Sequence, residues 1–203
     1  MDTTAKKPAG FLDRDGVLTE ENSYITSVER LRIFPYTAEC IRQIRQKGYY
    51  TIVITNQSGV ARGLFTEETL REMNDYLMKQ TNVDAIFYCP HHPEGTVEKY
   101  RKKCDCRKPG SGMFEAACRE FAIDMTGSYM IGDRAGDILA GQNAGVRTIL
   151  LESGYGSAEL EDDVVPDHVL QDLRGVAEIL PDAAGKLHQE ILRNCRLGKE
   201  QEK

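Results

Sequence analysis

The 203-residue sequence predicts an α/β protein with a Rossmann-like, doubly wound, mostly parallel sheet and helices on both faces. Three observations lead there. Short apolar runs alternate with segments of helical periodicity along the chain. Residues 49–54 are aromatic or β-branched with no charge among them, which suits a strand covered on both faces. Three of the runs end abruptly in acidic or polar turns, and ligands of parallel sheets gather beyond those carboxyl ends.

Taken in order, residues 9–12 read as a first strand that runs out into Asp13-Arg14-Asp15-Gly16. Residues 37–47 place Ala38, Ile41, Ile44 and Arg45 at helical spacing, with Gly48 as the stop. The strand at 49–54 ends in Thr55-Asn56-Gln57-Ser58-Gly59. Thr66, with Glu68 and Thr69 behind it, opens a helix near 66–80, and a third strand follows at 84–88. A Cys/His-rich loop intervenes before a helix at 112–121 and a strand at 128–131 that ends in Gly132-Asp133. A helix at 138–144 leads to a strand at 147–151. Residues 158–167 read as an acidic loop, 169–180 as a short strand and helix, and 186–203 as a charged tail without an assigned function. One domain over residues 1–185 is expected, with the cysteine loop at 89–106 as an insertion in it.

Composition narrows the function. Asp and Glu number 32 against 26 Lys and Arg, so no general basic field exists to hold nucleic acid, and an anionic ligand requires a local cationic cluster. No stretch approaches the ~20 apolar residues of a membrane span, and the N-terminus lacks the apolar run of a secretory signal. A cytoplasmic, monomeric protein without membrane or nucleic-acid partners is therefore expected.

Asp13 and Asp15 lie two apart at a strand end, so both side chains can address one ligand. A carboxylate can attack phosphorus to give an aspartyl phosphate, while a second carboxyl protonates the departing oxygen. Carboxylates facing a phosphate dianion require a bridging cation. Mg2+ suits them, and Asp133, after a later strand, is the distant ligand. Thr55, Asn56 and Lys108 can supply donors to the transferring group. Each motif alone has a plainer reading: Asp-x-Asp-Gly as a turn, Thr55-Asn56 as an Asx turn, Lys108-Pro109 as a helix start and Asp133 as a cap. Their succession at strand ends favours a common site.

Cys89, Cys104 and Cys106, with His91 or its neighbour His92, form a set of three thiolates and one imidazole that suits tetrahedral, structural Zn2+. Cys40, Cys118 and Cys195 read as unrelated residues. Zinc in this loop would fix the adjoining Arg107 and Lys108.

The segments Phe11-Leu12-Asp13-Arg14-Asp15-Gly16-Val17, Thr55-Asn56-Gln57-Ser58-Gly59, Lys108-Pro109 and Gly132-Asp133 with Asp137 resemble the four motifs of the haloacid-dehalogenase-like phosphohydrolases. Residues 56–63, Cys89-Pro90-His91-His92-Pro93 and 104–109 resemble the heptose bisphosphate phosphatases within them, and the likeness spans about residues 9–180. The resemblance implies Asp13 as nucleophile, Asp15 as acid/base, and Asp13, the Asp15 carbonyl and Asp133 as magnesium ligands, with Asp137 behind them. It implies Thr55 and Lys108 on the phosphoryl group. It also implies Glu21, Asn22, Ser23, Tyr24, Asn56, Gln57, Ser58, Arg107 and Arg134 around the sugar phosphate, and His91 as the zinc imidazole. Ser23 stands where these proteins usually have Gly, and Arg134 where Lys is common. The implied reaction removes the 7-phosphate of a heptose 1,7-bisphosphate for surface-glycan synthesis. The alternatives are a histidinol-phosphate phosphatase, a nucleic-acid 3′-phosphatase and a non-catalytic zinc-containing binding module. The segments between Asp13 and Thr55 and between Thr55 and Lys108 already hold expected elements, leaving no room for a cap domain of ~50 residues.

Overall fold

The computed structural model describes residues 5–160 and 163–185. Its strands are β1 (Ala9–Leu12), β2 (Tyr50–Asn56), β3 (Ala85–Cys89), β4 (Tyr129–Gly132), β5 (Arg147–Leu151) and β6 (His168–Leu170). Its helices are α1 (Thr37–Gln46), α2 (Glu67–Thr81), α3 (Gly112–Glu120), α4 (Ala135–Asn143) and α5 (Val176–Ile179). All strand pairs are parallel, in the order β3-β2-β1-β4-β5-β6. The winding direction therefore reverses between β1 and β4, and a crevice opens at their carboxyl ends.

Successive strand residues point to opposite faces, and each face is covered. Leu12, Val53, Ile131 and Ile149 enter one core with Ile41 and Ile44 of α1, Leu70, Met73 and Leu77 of α2, and Val176 of α5. Phe11, Ile52, Ile54 and Met130 enter the other with Met113, Phe114 and Ala117 of α3 and Ala140 of α4. Burying each large apolar side chain contributes about 1.5–3 kcal/mol, which anchors the central strands and thereby their polar ends. The connections after β1 and β3 contain single 3-10 turns, at Val28–Arg30 and Glu98–Tyr100, and no cap domain stands over the sheet among the described residues.

Two boundaries differ by two or more residues from the sequence expectation. Strand β2 continues through Thr55 and Asn56, which pair with Tyr88 and Cys89, because polar side chains at a strand end look like a turn on hydropathy alone. Helix α4 begins at Ala135 rather than at 138, since the Asp137 carboxylate accepts from the backbone nitrogens of Asp133 (3.2 Å) and Arg134 (3.1 Å) and caps the earlier turn. The expected acidic loop at 158–167 overlaps a 3-10 turn, Gly156–Glu159. The tail at 186–203, with Cys195, lies outside the described residues.

Candidate active site

The carboxyl ends of β1 and β2 open into a cleft of about 390 Å3, lined at its base by Asp13, Lys108 and Asp137. Asp13 N donates to the Ile131 carbonyl at 2.9 Å and so prolongs the β1–β4 ladder by one residue. This registers Asp13 against the end of β4, where Asp133 stands. Ligand oxygens of Asp13, Asp133 and Asp137 all lie within 4.8 Å of one another. Lys108 Nζ is 2.9 Å from Asp13 Oδ1 and 2.6 Å from Asp137 Oδ1, and donates to the Ile54 carbonyl at 2.8 Å.

Three buried carboxylates against one ammonium leave excess negative charge. Burial, opposed by Lys108 and reinforced by Asp137 and Asp15, pushes the Asp13 carboxyl up to about 6. Burial, with Asp13 and Asp137 beside it, pushes Asp133 up to about 8. Desolvation pulls Lys108 down, but Asp13 and Asp137 outweigh it and hold its ammonium above the usual range.

The hydrogen bonds divide the labour among the acids. Both Asp137 oxygens are engaged, one by Lys108 and the other by the backbone before α4. Asp133 Oδ2 accepts from Tyr155 N at 3.0 Å, whereas its Oδ1 is buried without a hydrogen-bond partner. Asp13 Oδ1 faces the Lys108 ammonium at 2.9 Å. The unpartnered Asp133 oxygen, within 4.8 Å of the Asp13 carboxylate, fits a hard divalent cation. Gly16 and Gly154 close around Asp133: an added Cβ would fall 2.3 Å and 1.9 Å from its Oδ2.

Asp15 lines the same cleft but stands outside the triad. Arg14 grips it through Nε (3.0 Å) and Nη2 (2.9 Å), while Gln57 Nε2 donates at 2.9 Å and Thr19 Oγ1 at 3.1 Å. Burial pushes the Asp15 carboxyl up, but the Arg14 charge and these hydrogen bonds prevail and hold it below the usual carboxylate range. Thr55 is buried behind the lining, with its hydroxyl accepting from Gln57 at 3.0 Å. Sequence reasoning passed over Arg14, which is 1% exposed and fixes both Asp15 and Gln57. Its place between the two aspartates was the available signal.

Of the residues expected around the substrate, Glu21, Ser23, Tyr24, Asn56, Gln57, Ser58, Arg107 and Arg134 line the cleft. Asn22 is not brought in. It lines a neighbouring depression with Glu20, Arg30 and Arg32, and Tyr24 and Ile25 border both. Asn56 both donates to the Lys108 carbonyl (3.1 Å) and accepts from Lys108 N (3.0 Å), so it pins the lysine loop to β2. The Arg134 guanidinium stacks 3.5 Å over the Tyr155 ring and lies 3.7 Å from Glu21. Arg62, Phe65 and His92 also line the cleft; Arg62 and Phe65 were not anticipated as site residues, and His92 only as the alternative zinc imidazole.

Beside the cleft, Cys89 Sγ lies 3.5 Å from Cys104 Sγ, 3.1 Å from Cys106 Sγ and 3.7 Å from His91 Nδ1. Cys106 Sγ is 3.3 Å from both Cys104 Sγ and His91 Nδ1. These edges approach the ~3.8 Å expected for sulfurs around tetrahedral zinc at ~2.3 Å bonds. His92 turns instead toward Arg62, which leaves His91 as the imidazole of the cluster.

Residues 105–176 match the HAD-hydrolase-like family. The chain is 44% identical over 146 residues to the D-glycero-beta-D-manno-heptose-1,7-bisphosphate 7-phosphatase of Rhodopseudomonas palustris, covering 70% of this chain and 81% of that protein. It is 38% identical over 173 residues to the enzyme of the same name from Haemophilus ducreyi, covering 82% and 94%. The D,D-heptose 1,7-bisphosphate phosphatase from B. bronchiseptica, solved with magnesium and phosphate, superposes with a TM-score of 0.74 at 32% identity, over 90% of this chain and 99% of that one.

Proposed function

Because the chain belongs to the heptose-1,7-bisphosphate 7-phosphatase family of HAD-like hydrolases, we propose that it is a phosphatase removing the 7-phosphate of D-glycero-β-D-manno-heptose 1,7-bisphosphate for nucleotide-activated heptose synthesis. The observation that carries the reading is the cluster of Asp13, Asp133 and Asp137 around Lys108 at the strand switch point.

In this mechanism an Asp13 oxygen attacks phosphorus as the bond to the sugar O7 breaks, and Asp15 passes a proton to O7. The Arg14 contacts keep Asp15 ionised at rest, so the proton it passes to O7 is taken from solvent as the phosphate dianion closes on the site, and the one it later takes from water returns to solvent. Asp15 then removes a proton from water, whose oxygen attacks the aspartyl phosphate. The Asp13 carboxylate is restored and inorganic phosphate departs. Lys108 and Thr55 counter charge on the phosphoryl oxygens. Magnesium would be held by Asp13, Asp133 and the Asp15 carbonyl, with Asp137 behind them, and supplies charge neutralisation between the carboxylates and the phosphate.

Zinc on Cys89, His91, Cys104 and Cys106 is part of the proposal, as a structural ion that holds Arg107 and Lys108 in place. The protein works as a single domain over residues 1–185 and as a cytoplasmic monomer. Among the described residues, no helix is long and apolar enough to cross a membrane. Phosphate release is measured with magnesium on heptose 1,7-bisphosphate and on histidinol phosphate. The heptose substrate should be preferred by at least ~100-fold in kcat/KM, or about 2.7 kcal/mol. Preference for histidinol phosphate would replace the substrate, and no release from any phosphomonoester would leave a binding module.

A further inference from the structure

The cations lining the cleft fall into two groups. Lys108 is paired with Asp13 and Asp137, and Arg134 lies beside Glu21. Arg62 and Arg107 have no carboxylate within ion-pair distance among the described residues, yet both line the cleft. A guanidinium without a counter-charge in a concave site retains its full capacity for an anionic ligand.

Arg62 is also poorly satisfied as a donor. Its Nε is buried without a hydrogen-bond partner. Its Nη2 lies 3.2 Å from His92 Nε2, while Glu94 N donates to His92 Nδ1 at 3.1 Å. Both ring nitrogens of His92 therefore face obligate donors, but a neutral imidazole has only one lone pair to offer. One of the two contacts must set an N–H against an N–H. The arrangement is nonetheless held firmly: Arg62 N donates to the Ser58 carbonyl at 3.0 Å, and Val97 N donates to the Ala61 carbonyl at 2.9 Å, fastening the Arg62 turn to the cysteine loop that carries His92. An acceptor-rich anion would relieve both shortages at once.

We propose that Arg62, with His92 and Arg107, forms the subsite for the phosphate that the product keeps. This rests on the bisphosphate phosphatase reading and deepens it: Asp13 receives the phosphate to be removed, while the Arg62 end of the cleft senses whether a second is present. Arg107 was expected near the sugar or its second phosphate. Arg62 and His92 are the added members, and together they make the site a reader of bisphosphates.

The test is the ratio of kcat/KM for heptose 1,7-bisphosphate to that for heptose 7-phosphate, measured for the wild type and for R62M, R62K and H92A with circular dichroism as the check of fold. R62M should lower this ratio by about tenfold or more, the scale of a lost charge-assisted fork, mainly through KM for the bisphosphate. R62K, which keeps the charge but not the fork, should fall in between, and it provides the reading if R62M does not fold. An unchanged ratio in the folded variants, whether both activities drop together or neither does, overturns the subsite while leaving the phosphatase reading intact. A wild-type enzyme inactive on the bisphosphate overturns both.

Discussion

The carboxylates of the cleft and the thiols of the cysteine loop are both clusters of potential anions, but they are assembled by different forces. Asp13 and Asp133 extend from adjacent central strands whose side chains are buried on both faces, and Lys108 supplies an internal counter-charge. The loop at 89–106 has a single 3-10 turn, and Cys104 and Cys106 only border the second core. Its sulfurs approach to 3.1–3.5 Å, and the metal-ligating set around them contains no cationic side chain among the described residues. The comparison teaches that the core alone can preorganise the first cluster, whereas the second, on the proposed reading, depends on a bound metal. One metal would serve chemistry and the other folding.

The sharpest way to break this contrast is Asp13→Asn. It should lower phosphate release by at least about a thousandfold, by removing the proposed nucleophile, while circular dichroism and the melting transition stay native or improve. A variant that loses fold along with activity would place the carboxylates among the stabilising elements. Next in size, Cys104→Ala or zinc chelation should cost about 3 kcal/mol or more, since structural zinc can contribute on the order of 10 kcal/mol to local folding. Denaturant melts with and without chelator measure it, and unchanged midpoints would end the folding role.

Magnesium should show a smaller effect with a definite sign. Asp13 and Asp133 are raised from 3.8 to about 6 and about 8, so between pH 4 and 8 the metal-free native state binds more protons than the unfolded chain. Its stability from these two groups is therefore present at low pH and declines as pH rises. Magnesium offsets the repulsion, so the rise in melting temperature on adding it should be larger at pH 8 than at pH 5. An equal rise at both would show the carboxylates to be compensated already.

The smallest effect tests the cleft's entry loop. Ser23 adopts φ 52, a left-handed conformation that favours glycine. Ser23→Gly should gain up to about 1 kcal/mol in thermal melts. Destabilisation would show that the Ser23 side chain contributes more than its backbone conformation costs.

Much of this was legible along the chain. Apolar runs gave β1 and β5 to the residue, and the acids at 13 and 133 could be placed at strand ends because a parallel fold puts such ends on one side. Thr55 and Asn56 were misread as turn because strand pairing is non-local. The start of α4 was missed because a capping carboxylate lies outside the hydrophobic period.

The sequence by itself determined the alternation of elements, the acids and cations that could meet a phosphate, and the ligand types for two metals, since these follow from residue chemistry and local period. Only the tertiary structure decided that Asp137 is consumed by Lys108 and the backbone before α4 while Asp133 keeps an open oxygen, that Arg14 claims Asp15, that His91 rather than His92 joins the thiols, and that Arg62 has no carboxylate within ion-pair distance among the described residues. Those assignments depend on which donors reach which acceptors across strands distant in sequence, and side-chain spacing along one strand or helix does not encode that.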